Sequence, residues 1–364
     1  MKTKKRKKLP LILLCLALVA AAVLGGLKYY GKKQMEKIPA LSFRDCLAYT
    51  LGGEKDGVIT VGVLQNGEMR YTVYGADGQE IDHALHIYEI GSLTKTLTAA
   101  LVGKAVAEGK LQLDAPIDRY VTLPKEGHAP TIRELLTHTS GYPEYYFESE
   151  MIGNFLAGRN SFCGIGKDKL LRRLGSADVK EEPHGFRYSN FGYATLGLIL
   201  EQVYGTNFTR MMNDSLRAWG MPSSHMTDGA GDLGNYWDWR RDDAYLPAGG
   251  VLSNIEDMLT YAALVLNGTD GFDTYTASIK EIRVASESYE QMNIRMDAVG
   301  YGWMIDEENG IIWHNGGTGH YNAYLGVKRD AGTAVVILSN LSPSKKIPAT
   351  VMGAKLLLEI SGGE

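Results

Sequence analysis

Ser92 and Lys95 stand three residues apart in Ser92-Leu93-Thr94-Lys95, at the start of a stretch with helical periodicity, so a hydroxyl and an amine share one face. A serine is a poor nucleophile until a base takes its proton. A neutral lysine beside it could do so, and a helix N-terminus favours the negative charge that develops during attack. The spacing alone arises about once by chance in a chain of this composition, and a serine there also reads as a helix cap. Ser342-Pro343-Ser344-Lys345 repeats the same spacing, but its proline and its place after a strand make it a turn.

Two further segments could complete such a site. Tyr188-Ser189-Asn190 offers a phenol that can relay protons and an amide that can hold both an ammonium and a substrate carbonyl. Taken alone it reads as a surface turn leading into a helix. His314-Asn315-Gly316-Gly317 closes a strand pattern in which His314 and Gly316 point to the same face. Glycines there let a substrate backbone approach, and an N–H beside them could bind an oxyanion.

The elements that must position these groups follow from periodicity. Gly57 to Gly75 contains two alternating β-branched runs joined by Asn66-Gly67, which predicts a hairpin. Leu93, Leu97, Ala100, Leu101 and Ala105 predict a helix over Ser92–Glu108, stopped by Gly109. From Ala115 to about Arg240 the chain reads as mostly helical, including Thr131–His138 and Tyr193–Val203, with His138 as a helix C-terminal cap. Ser253 with Glu256 predicts a capped helix running to about Leu266. Strands follow over Tyr301–Ile305, Ile311–His314, Tyr321–Val327 and Thr333–Ser339, then a helix over Pro348–Ile360. Strands at both ends and helices between them imply an α+β fold, an antiparallel sheet built from both termini with an inserted helical subdomain at about 115–240.

A helix-borne Ser-x-x-Lys, then Tyr-x-Asn, then a His-x-Gly strand resembles the serine β-lactamase and penicillin-binding-protein superfamily, in its class C-like branch. The likeness spans about Gly57 to Asn340 and includes Ile90-Gly91-Ser92, the run Thr131 to Gly141, and Pro247-Ala248-Gly249-Gly250, framework segments with no chemistry of their own. The resemblance implies an acyl-enzyme at Ser92, with Lys95 as proton acceptor and Tyr188 as general base or relay. It also implies that Asn190 orients Lys95 and the substrate amide, that His314, standing where the family has lysine or histidine, is a further catalytic group, and that the N–H groups of Ser92 and Gly317 form the oxyanion hole, with Asn315 and Gly316 beside the substrate. Neither metal nor cofactor is implied. His314 and Asn315 stand where relatives that grip a substrate carboxylate carry lysine and threonine, which puts carboxylate recognition in doubt. The implied substrate is an amide or ester of β-lactam, D-amino-acid peptide or peptidoglycan type. The alternatives are a carboxylesterase of the same fold, or a penicillin-binding sensor that does not turn over.

Composition is compatible with that reading. The 364 residues are 45% hydrophobic and 22% charged, enough for one large domain or two at roughly 150 residues each. From Ile38 onward 28 basic side chains face 41 acidic ones, so a nucleic-acid partner is not expected. His83 and His86 lack a third ligand for a metal. No Gly-x-Ser-x-Gly elbow, phosphate-binding glycine loop or His-Glu-x-x-His site is present. Six cations in residues 1–8 precede the uncharged apolar run Leu9–Leu27, which reads as a signal anchor with its N-terminus in the cytoplasm. Residues 28–40 read as a linker, and 41–364 as the extracytoplasmic unit. Cleavage near Ala20-Ala21-Ala22 would instead release a secreted protein. Cys46 and Cys163 could pair or remain separate thiols, and the oligomeric state is open.

Overall fold

The computed structural model describes residues 36–123 and 129–362. The apolar run Leu9–Leu27 and most of the tether lie outside the described residues, and among the described ones no helix is long and apolar enough to cross a membrane.

The strands in chain order are β1 (Ile59–Gln65), β2 (Glu68–Tyr74), β3 (Glu80–Ile81), β4 (Tyr88–Glu89), β5 (His225–Met226), β6 (Val251–Ser253), β7 (Lys280–Glu281), β8 (Ala298–Val299), β9 (Met304–Asp306), β10 (Ile311–Gly317), β11 (Asn322–Lys328) and β12 (Thr333–Ser339). The helices are α1 (Phe43–Leu51), α2 (Thr94–Ala107), α3 (Ile132–Leu136), α4 (Ser149–Leu156), α5 (Lys167–Ser176), α6 (Asn190–Tyr204), α7 (Phe208–Ala218), α8 (Leu246–Gly249), α9 (Ile255–Asn267), α10 (Phe272–Thr276), α11 (Glu287–Glu290) and α12 (Ala349–Ser361). An antiparallel sheet runs in the order β3-β2-β1-β12-β11-β10-β9-β8-β7. β1 pairs with β12 from Ile59 opposite Ser339 to Gln65 opposite Thr333, so the two ends of the chain share the middle of the sheet. The fold is α+β, as the distribution of strands implied.

Both faces of the sheet are covered. Val335 and Ile337 pack with Leu47, Trp313, Tyr324 and Leu357 under α1 and α12. Ala334, Val336 and Leu338, the alternate residues of the same strand, join Leu97, Leu101, Phe191, Leu200 and Tyr261 on the side of α2, α6 and α9. A strand buried on both faces reads as a continuous apolar run, which is why Thr333–Ser339 shows no alternation. Each large aliphatic or aromatic side chain so buried contributes about 1.5–3 kcal/mol. Helix α2 is buried from Thr94 to Gly103 and forms the central rod of the second layer.

Local signals in the sequence hold where backbone geometry alone decides. Asn66 and Gly67 adopt φ of 55° and 84° in the hairpin turn. Thr131 and Glu134 form a reciprocal capping box on α3. Three expectations need correction. The cap of α9 is Asn254, which accepts from Asp257 N, because Ser253 is taken up as the last residue of β6. The strand placed at Tyr301–Ile305 begins at Met304, because Gly302 at φ 73° sits in the turn that follows β8. A second, three-stranded sheet, β4-β6-β5, was not foreseen, since strands of two or three residues leave no periodicity to read. Cys46 and Cys163 are separate buried thiols. The Ser342–Lys345 repeat is a turn, with Lys345 N donating to Ser342 O.

Candidate active site

Ser92 lies in the 3-10 turn Gly91–Leu93 that feeds α2, and its side chain caps neither the turn nor the helix. One turn on, Lys95 is fully buried with its Nζ 3.0 Å from Ser92 Oγ and donating to Ala248 O at 2.6 Å. Nζ also lies 4.9 Å from the ring centre of Tyr188 and 5.7 Å from that of Tyr193. Burial holds the Lys95 pKa well below the ordinary lysine value, and only the Glu144 carboxylate works against it. The shift is toward the neutral amine, the form whose lone pair can take the Ser92 proton.

Tyr188 is brought to the same place from the segment before α6. Burial raises its phenol, with the Ser92 hydroxyl acting in the opposite direction, so the group is a neutral O–H at physiological pH. Asn190, the first residue of α6, donates from Nδ2 to Glu144 Oε1 at 3.3 Å. The expected Asn190–Lys95 hydrogen bond does not form among the described residues, because Ala248 O occupies that role.

The third motif is split between two surfaces. His314 and Gly316 face the Ser92 side, as the pleat requires. The His314 imidazole is buried, its Nδ1 2.6 Å from Asn315 O, and burial followed by the proximity of Lys95 pushes its pKa down to about 3. It is a neutral ring. Asn315, expected beside the substrate, turns to the other face and donates to Thr350 Oγ1 in α12 at 2.8 Å. Gly316 and Gly317 press against the Ser92 turn. A Cβ at Gly316 would lie 1.8 Å from Ile90 O, and one at Gly91, whose φ is +50°, would lie 2.6 Å from Gly317 N. Gly317 is thus held beside the nucleophile's own backbone.

Gly316→Ala is expected to push β10 away from Ile90 and lower kcat about 100-fold, the scale of a roughly 1 Å misplacement. Steady-state kinetics with a far-UV spectrum as folding control check this; unchanged kcat in a folded variant overturns the contact's importance.

Ser92, Tyr188, Asn190 and Gly317 border one cleft of about 180 Å³ with Glu144, Phe162, Trp237, Trp239, Tyr245 and Thr318. A family model described as Beta-lactamase matches residues 52–354. The chain belongs to the beta-lactamase family. Protein flp of Staphylococcus aureus (strain N315) is 22% identical over 325 residues, 79% of this chain, and the chain spans only 60% of that relative's length. D-alanyl-D-alanine-carboxypeptidase/endopeptidase AmpH of Escherichia coli (strain K12) is 24% identical over 307 residues, 76% of this chain and 77% of its own. Among solved structures, the octameric penicillin-binding protein homologue from Pyrococcus abyssi aligns with a TM-score of 0.68 at 21% identity, covering 94% of this chain and 78% of that one. The Beta-lactamase/D-alanine carboxypeptidase from Yersinia pestis complexed with citrate does so with 0.68 at 20% identity, over 87% and 95%. These likenesses establish the serine β-lactamase and penicillin-binding-protein fold.

Within this family member, the segments read as mere framework supply site atoms. Ala248 O binds Lys95, and the neighbouring Pro247 O accepts from Thr98 Oγ1 at 2.8 Å. His138 is not a helix cap through its ring. Its Nδ1 accepts from Ser189 N at 3.0 Å, and the imidazole packs 4.5 Å from Tyr188 and 5.1 Å from Tyr193. Burial and then Lys95 hold it neutral. His86 Nδ1 lies 2.5 Å from Asp232 Oδ2, and His83 packs on Tyr71.

Glu144, Glu89, Thr318 and the two tryptophans escaped the sequence reading. Glu89 is buried in β4, accepts from Trp237 N at 2.7 Å and from Thr318 Oγ1 at 2.5 Å, and is pushed up to about 7 by burial. It ties one wall of the cleft to the end of β10. The only local signal was Trp237-Asp238-Trp239, two of the chain's five tryptophans in a polar loop. Nearby, Tyr142 is buried, whereas Tyr145, which packs 5.8 Å from the cleft residue Phe162, and Phe147 are exposed.

Proposed function

We propose that the protein is a serine hydrolase that forms an acyl-enzyme at Ser92 from an amide or ester substrate. The observation that carries the reading is a fully buried Lys95 amine 3.0 Å from Ser92 Oγ at the floor of an open cleft.

Lys95 accepts the Ser92 proton as Oγ attacks the carbonyl carbon. The N–H groups of Ser92 and Gly317 stabilise the oxyanion, a role supported by the glycine contacts that hold the Ser92 turn against the end of β10. Collapse breaks the bond to the leaving amine or alkoxide, which takes a proton through the Tyr188 phenol from Lys95. A phenol raised by burial is suited to donating and regaining a proton, so relay is the better role for Tyr188 than standing phenolate base. Water then attacks the acyl-enzyme, freeing the acid and Ser92. Asn190 and Glu144 hold one side of the substrate, and His314 serves as a neutral packing partner below.

The relatives' names suit a substrate of β-lactam, D-amino-acid peptide or peptidoglycan type, and the run Leu9–Leu27 supports placement of the catalytic unit outside the cytoplasm, tethered to the membrane. Protease treatment of intact cells is expected to remove the domain; a domain protected until lysis overturns that placement. Intact mass spectrometry with an activated ester and a penicillin tests the chemistry. A Ser92-dependent acyl adduct, lasting or transient, is expected.

A further inference from the structure

We propose that the cleft selects substrates bearing an ammonium group beside an aromatic or branched apolar side chain, and turns away substrates with a carboxylate there. The inference rests on the reading of Ser92 as the acylated residue and names the substrate class for that site.

Among the described residues no lysine, arginine or histidine borders the cleft, and Glu144 is its one charged side chain. Two buried bases behind Ser92 are shifted toward their neutral forms. Lys95 is buried beneath the floor and held toward its neutral form, and His314 is neutral with a pKa of about 3. A substrate carboxylate would therefore meet a carboxylate and no cation, whereas holding a carboxylate calls for a charged or multiply donating partner.

The walls complete the case. Phe162 and Tyr245 stack at 4.4 Å, and Trp237 and Trp239 stand 6.0 Å apart, so aromatic rings line the space in front of Glu144. Aromatic faces attract an ammonium ion through their quadrupole and bury an apolar side chain equally well. Glu144 is positioned, not loose: Asn190 Nδ2 donates to Oε1, and its backbone carbonyl accepts from Phe191 N at 2.9 Å. Oε2 makes no side-chain hydrogen bond among the described residues and is free to accept from an ammonium group. Trp237 is fixed in turn by Glu89 at its backbone and by close approach over Gly319, where a Cβ would lie 2.7 Å from the indole Nε1.

The test uses the full-length chain purified in detergent, with Ser92 first labelled by a fluorophosphonate to count competent sites. Phenylalanine aryl esters with a free ammonium, an N-acetyl and an N-succinyl group give one charge series on the acyl side. Neutral acyl esters with cationic, neutral and anionic leaving alcohols give a second series, and D and L forms of the first are both used. In at least one series the cationic substrate is expected to show a kcat/KM about tenfold or more above the anionic one. Glu144→Gln, which keeps the acceptor for Asn190, is expected to shrink the cation-to-neutral ratio by a similar factor. Equal or faster acylation by the anionic substrates in both series overturns the proposal, as does a ratio unmoved by Glu144→Gln. A parent protein that the fluorophosphonate does not label at Ser92 instead overturns the serine-hydrolase reading, and this inference with it.

Discussion

Ser92→Ala is expected to lower kcat on any turned-over ester or amide by about 1,000-fold or more and to abolish the acyl adduct in intact mass spectrometry. The substitution removes one oxygen from a half-buried turn whose backbone it does not strain. The Ser92 side chain caps no helix, and Lys95 keeps its hydrogen bond to Ala248 O, so the fold and the cleft stay intact. The loss therefore reports the nucleophile and not the scaffold. Substrate binding is expected to persist, because the aromatic walls, Glu144 and Asn190 are untouched. A variant that retains the adduct or the parent's turnover would remove Ser92 from the mechanism. Residual turnover a little above the uncatalysed rate fits the reading, because oriented binding and the oxyanion site survive the change.

Lys95→Met is expected to lose activity on the same scale while gaining stability at pH 7, two effects of opposite sign from one atom. Among the described residues Nζ is the one amine hydrogen-bonded to Ser92 Oγ, and burial shifts it toward its neutral form, so activity goes with it. The stability gain follows from linkage. The folded-state pKa of Lys95 lies well below the ordinary lysine value near 10.4, so between the two the unfolded chain binds more protons and the parent's stability rises with pH. Methionine is apolar, similar in length, and does not titrate. Its variant should show a higher urea midpoint at pH 7 and a flatter dependence on pH from neutral to alkaline. The unpaired Ala248 carbonyl costs about 1–3 kcal/mol and sets the limit on the gain. Denaturation at pH 7 and pH 9.5 decides the matter: a parent whose stability does not rise over that interval has a Lys95 of ordinary pKa, and the general-base role falls. In the parent, the same protonation sets the acid limb of kcat/KM, with activity rising as pH passes upward through the depressed Lys95 pKa.

The parts of the site that local geometry controls could be read from the chain. Ser92 and Lys95 meet because three residues bring side chains round to one helix face, whatever else the protein does. The hairpin at Asn66-Gly67 and the cap at Thr131 are decided within four residues each. His314 and Gly316 share a face because strands alternate. Asn315 illustrates the limit of that rule. Alternation puts it on the opposite face from His314, where Thr350 of α12 receives it, yet the motif likeness assigned it to the substrate.

What the tertiary structure alone decided is which groups surround the amine. Ala248, the neighbouring Tyr188 and Tyr193, and Glu144 act on Lys95 from three stretches of chain far from residue 95, and the packing around the amine excludes the water that would keep it charged. The sequence by itself determined the order of elements, the hydroxyl–amine pair and the glycines that admit a strand against it, because each depends on backbone spacing or on a missing Cβ. The depressed basicity of Lys95, the partner of Asn190 and the anionic aromatic cleft were settled only on folding. Desolvation and electrostatic coupling act through space, and no spacing along the chain encodes those distances.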